Sequence, residues 1–108
     1  MYRNCESFDM VKNILMDYVP HSDILKSREE DNVLLVINKN HALYFLNEVA
    51  KDFLNLCDGN RTLRDIVAAM LKEYDVEDDV LINDLMDIIQ ELQIKRCVHF
   101  LPLEEYNE

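Results

Sequence analysis

The chain has 108 residues, 49% of them hydrophobic, and a formal net charge of −11, with a pI near 4.5. That length supports one domain around one modest core, and that hydrophobic content argues against disorder. The acidic balance opposes nucleic acid and anionic membranes as partners and favours a basic peptide or a basic protein patch.

Cys5, Cys57 and Cys97 are far apart and odd in number, no Cys-x-x-Cys pair occurs, and His21, His41 and His99 are equally scattered. Metal ligation needs clustered donors, so no metal or other cofactor is expected. The thiols read as small buried hydrophobes of a reduced, cytoplasmic protein. Arg3, Glu6 and Asp9 interrupt any apolar run at the start, so no signal peptide is expected. No stretch reaches the roughly 20 apolar residues of a membrane span.

In chain order, "SFDMVKNILMDYV" places Val11, Ile14, Leu15 and Tyr18 at helical spacing behind Ser7 as a possible N-cap. This predicts a short amphipathic helix in an N-terminal extension, residues 1–20, which either packs on the domain or docks on a partner. Residues 21–103 form the domain proper, and 104–108 an acidic tail with Glu104, Glu105 and Glu108. Ile24 and Leu25 begin an extended run that stops at a polar turn, Arg28 to Asn32. "VLLVI", residues 33–37, is β-branched-rich and of strand length. Asn38-Lys39-Asn40 is turn chemistry, since asparagine tolerates positive φ. "HALYFL" then returns as an antiparallel strand. The result is a three-stranded meander whose last strand, Ala42 to Phe45, is an edge that few charges blunt.

From Asn47 the hydrophobic period becomes 3.6. Asn47 caps a first helix with Val49, Ala50, Phe53, Leu54 and Cys57 on one stripe, and Gly59 stands as its C′ glycine. Thr62 and Asp65 form a capping-box variant opening a second helix, with Ile66, Val67, Met70, Leu71 and Tyr74 apolar. A third runs from about Asp78 to Lys95. Its Leu81, Ile82, Leu85, Met86, Ile88, Ile89 and Leu92 span an arc of roughly 160°, beside an acidic stripe of Asp84, Asp87 and Glu91. The arc is either all core or lends one margin to a groove in which the carboxylates select a basic ligand. "CVHFL" is a short β run that returns to the sheet as a wing.

Catalytic chemistry is sparse. One glycine cannot build a phosphate-cradling loop. Cys57 has Asp58 beside it but no neighbouring histidine or cation to make a thiolate. The sequence therefore reads as a non-enzyme.

Taken together, Leu46-Asn47-Glu48-Val49-Ala50, then Leu54-Asn55-Leu56-Cys57-Asp58-Gly59-Asn60-Arg61-Thr62, Tyr74 and Asp84-Leu85 resemble the PqqD-like family of small peptide chaperones. These are the recognition elements of ribosomally synthesised, post-translationally modified peptides. The resemblance covers roughly residues 22 to 101. It implies an α+β winged helix-turn-helix, a three-stranded antiparallel sheet packed on three helices. Here an extra N-terminal helical segment would precede it. It also implies binding of a precursor's leader segment by strand addition, and delivery to a modifying enzyme, often a radical S-adenosylmethionine enzyme. Mapped onto this chain, the strand is Leu43, Tyr44 and Phe45 and the helix wall is Leu81, Asp84, Leu85 and Ile88. Asp84→Lys or Tyr44→Pro should then weaken leader binding. The oligomeric expectation is a monomer or weak homodimer. The rival readings are a winged-helix transcription regulator, disfavoured by acids on the second and third helices, and an oligomerisation subunit using the N-terminal helix.

Overall fold

The computed structural model describes residues 13–102. Their elements are β1 (Tyr18–Ser22), β2 (Ile24–Glu30), β3 (Val33–Asn38), β4 (Leu43–Leu46), α1 (Glu48–Asn55), α2 (Leu63–Leu71), α3 (Asp78–Ile94) and β5 (Val98–Pro102). The architecture is α+β: β2-β3-β4 form an antiparallel meander beside the helices, as expected from the sequence.

The meander follows from alternation. Leu34, Val36 and Asn38 of β3 are buried, while Val33, Leu35 and Ile37 point to the other face. Leu34 pairs with Leu46 and Val36 with Tyr44, which carries the same alternation into β4. The inner face joins Ala50, Phe53 and Leu54 of α1, Leu63, Ile66 and Met70 of α2, and Leu81, Leu85, Ile89 and Leu92 of α3 in one core. Phe53 is fully buried, and emptying such an aromatic site costs about 3–5 kcal/mol.

The helix starts are encoded locally. The Asn47 side chain accepts from the Ala50 amide at 2.9 Å. Thr62 Oγ1 accepts from the Asp65 amide while Asp65 Oδ2 accepts from the Thr62 amide, both at 3.2 Å. The helix ends differ from expectation. α1 stops at Leu56 in right-handed geometry, and Gly59 lies three residues beyond, in the turn, at φ +81°. Its role there is close approach: a Cβ on Gly59 would sit 3.0 Å from His21 Nδ1. α3 ends in a Schellman motif, Cys97 N–H to Leu92 O and Arg96 N–H to Gln93 O. Arg96 takes the left-handed position at φ 57°, where glycine is usual.

Two further expectations are corrected. Of the anticipated N-terminal helix, Ser7 and Val11 lie outside the described residues. Residues 13–15 are helical, but Tyr18 is the first residue of β1. The Asp17 amide closes on Ile14 O, and Pro20 pushes Val19 out of the helical region, so the helix cannot continue. "CVHFL" does form a strand, yet it pairs with β1 rather than with the meander, from Tyr18↔Pro102 to Ser22↔Val98. Val19 and Val98 are both buried, on opposite faces of this ribbon, and Val98 joins the main core. The acidic tail falls outside the described residues.

Candidate functional site

The chemistry of β4 begins at the turn before it. Asn38 is buried, and its side chain makes three hydrogen bonds. Its Oδ1 accepts from the amides of Asn40 and Ala42, both at 2.9 Å. Its Nδ2 donates to Lys95 O at the end of α3, at 2.8 Å. The positive φ of this turn is carried by His41, at 69°. Asn38 therefore serves as a clamp between turn and helix, not as the left-handed residue anticipated from its type.

The clamp also fixes the ladder. The Asn38 amide donates to Ala42 O at 3.0 Å, in the same register as Val36↔Tyr44 and Leu34↔Leu46. In an antiparallel ladder, hydrogen-bonded and non-hydrogen-bonded pairs alternate. Tyr44 and Leu46 thus spend their backbone groups on β3, whereas those of Leu43 and Phe45 turn to the open side. No strand lies beyond β4 among the described residues.

Side chains alternate as well. Tyr44 is half-buried toward the helices, with Lys95 Nζ 5.1 Å from its ring centroid, in cation–π range. Lys95 also bonds Glu91 Oε2 at 3.0 Å. Asp84, Ile88, Glu91 and Lys95 follow one another at spacings of four, three and four, a single stripe about 16 Å long. Its C-terminal end meets Tyr44, so the acidic margin of α3 is the one turned toward β4. The sequence pattern alone left that margin unassigned.

The anticipated site residues therefore separate. Tyr44 turns toward the helices, while Asp84 and Ile88 lie on the α3 stripe that ends at Lys95, Asp84 exposed and Ile88 half-buried. Leu81 and Leu85, at 2% and 0% exposure, are core residues. Buried so completely, neither side chain offers a groove surface. Leu43 and Phe45 contribute outward backbone groups, but their side chains lie on the opposite face of the sheet, 53% and 70% exposed. Lys95 and Asn38 were missed. Nothing local distinguishes them, because their roles depend on contacts across 51 and 57 residues of chain.

Elsewhere the chemistry is quiet. An open cavity of about 480 Å³ lies past the other margin of α3, lined in part by Lys39, Gln93, Arg96 and His99. Asp23 there receives both Lys39 at 3.6 Å and His99 at 2.8 Å. Burial, with Asp58 adding to it, pushes the Cys57 thiol well above its usual range, and burial raises Cys97 too. Arg61 reaches Asp58 at 3.6 Å. The described residues hold no cluster of His, Cys, Asp or Glu suited to a metal, and no helix among them is long and apolar enough to cross a membrane.

A small antiparallel meander with β4 at one of its two edges, packed on three helices, defines an α+β module. The chain belongs to the PqqD family: the family model described as Coenzyme PQQ synthesis protein D (PqqD) matches residues 32–98. No curated protein matches it. A similar fold occurs in the solved structure titled TbiB1 in complex with the TbiA(beta) leader peptide. The TM-score is 0.63 at 22% identity, over 73% of this chain and 93% of that one.

Proposed function

We propose that this protein is a non-enzymatic, cytoplasmic chaperone. It holds the leader segment of a ribosomally made precursor peptide as an added strand on β4 and presents it to a modifying enzyme. The observation that carries the reading is the open β4 edge, with the backbone of Leu43 and Phe45 turned outward beside the Asp84–Lys95 stripe. Family membership and the leader-bound neighbour of the same fold support it. Backbone pairing supplies affinity for any extended peptide, and the walls supply selectivity. The acids of α3 favour a basic leader and oppose a duplex in the same place.

Amide hydrogen exchange on the whole chain tests this, with a peptide selected from a random dodecapeptide display library as the probe. Saturating peptide should slow exchange at Leu43 and Phe45, whose amides face the newcomer, and change Tyr44 little, because β3 already holds it. Protection confined to other elements, or nanomolar salt-sensitive binding to duplex DNA in place of peptide, would overturn the proposal.

A further inference from the structure

Strand addition to β4 gives the incoming peptide two faces, and this molecule has a wall ready for each. In an antiparallel sheet, residues directly opposite one another share a face. Peptide residues opposite Leu43 and Phe45 therefore lie on the outer face of the meander, away from α3. That face is apolar: Leu35 stands opposite Phe45 and Ile37 opposite Leu43. Beyond them Arg28 pairs with Leu35 and Lys26 with Ile37, closing the patch on the β2 side.

Exposure within the patch is graded. Leu35 and Ile37, flanked by strands on both sides, are half-buried. Leu43 and Phe45, with a neighbour on one side only, are 53% and 70% exposed. The uncovered apolar surface is therefore concentrated where a fourth strand would lie. A partner pressed flat against the sheet would cover the Leu35–Ile37 row equally, and the gradient does not ask for that. Peptide residues between these positions point the other way, toward Tyr44, Lys95, Glu91 and Asp84.

We infer that the bound peptide is read on both faces, with alternate apolar side chains lying on Leu43 and Phe45 and basic side chains at the intervening positions facing Asp84 and Glu91. The inference rests on the strand-addition reading and specifies its ligand: an extended segment alternating apolar and basic residues. The fourth strand would extend the outer apolar face and cover Phe45.

Selection from the random dodecapeptide library against the whole chain, and against two variants, tests it. Wild-type selections should enrich apolar residues at i and i+2 with Lys or Arg between them. Phe45→Ser should erase the apolar preference, retain the basic one, and weaken a wild-type-selected peptide roughly fivefold. Asp84→Asn with Glu91→Gln should do the converse. Enriched peptides lacking the alternation, or a Phe45→Ser selection identical to wild type, would overturn the inference while Leu43 and Phe45 protection still upheld strand addition. A doubled mass in solution that Phe45→Ser returns to a single chain would assign the patch to a second copy and overturn it as well. A library that enriches nothing overturns both proposals.

Discussion

The meander has two edges, and they are built on opposite rules. β2 shows solvent Leu25, Lys26, Ser27, Arg28, Glu29 and Glu30, all exposed, with a register shift between Ile24 and Lys26. Three of its four charges are held in ion pairs, Arg28 to Glu30 at 2.6 Å and Glu29 to Lys51 of α1 at 3.0 Å. Charge and irregular register are the devices that keep an edge from recruiting another strand. β4 has neither: its four residues are Leu43, Tyr44, Phe45 and Leu46. Two edges of one small sheet, exposed to the same solvent, face the same aggregation hazard. Protection of only one points to use of the other.

The largest way to break this contrast is to release β4 from α3. Asn38→Ala removes acceptors from two turn amides and the donor to Lys95 O, and should cost about 3 kcal/mol in urea unfolding. Loss below 1 kcal/mol would show that the clamp is dispensable.

A matched pair of prolines probes the edges themselves. By the ladder alternation Phe45 points its N–H outward on β4, and Ser27 does so on β2. Phe45→Pro should lower peptide affinity at least tenfold with little change in unfolding midpoint, while Ser27→Pro should leave affinity unaltered. Equal effects would erase the distinction between the edges. Tyr44→Pro, the substitution suggested by the sequence, is the wrong choice, because it strikes the ladder to β3.

Charge sharpens the contrast more gently. Asp84→Lys should weaken a basic peptide about fivefold in dilute buffer, and the deficit should shrink in 1 M salt, where the screening length is about 3 Å. A salt-independent loss would indicate damage to packing instead. The smallest effect concerns the helix that walls β4. Arg96→Gly relieves a left-handed arginine at the Schellman position and should stabilise the fold by about 0.5–1 kcal/mol, read as a raised urea midpoint.

Much of the fold was legible because its signals are local. Asn47, Thr62 and Asp65 announce helix starts through hydrogen bonds no more than three residues long. The alternation in "VLLVIN" and the 3.6 period of α3 follow from burial of one face. What escaped depends on neighbours that a pattern cannot name. The β1–β5 pair joins residues far apart in the chain, such as Val19 with Leu101, 82 residues on. An apolar arc marks what α3 buries but not which margin meets β4; Lys95 on Tyr44 decides that. The family resemblance placed Leu81 and Leu85 on the helix wall, but a resemblance maps positions, and depth comes only from packing.

The β1–β5 ribbon has a consequence of its own. Because Tyr18 sits opposite Pro102, the first and last strands of the described fold run side by side, with the paired Cα atoms roughly 5 Å apart. A unit closed in this way can be spliced into a surface loop of a host polypeptide without prying the loop open. The same geometry suits circular permutation, with the new ends placed in the exposed Asp31–Asn32 turn.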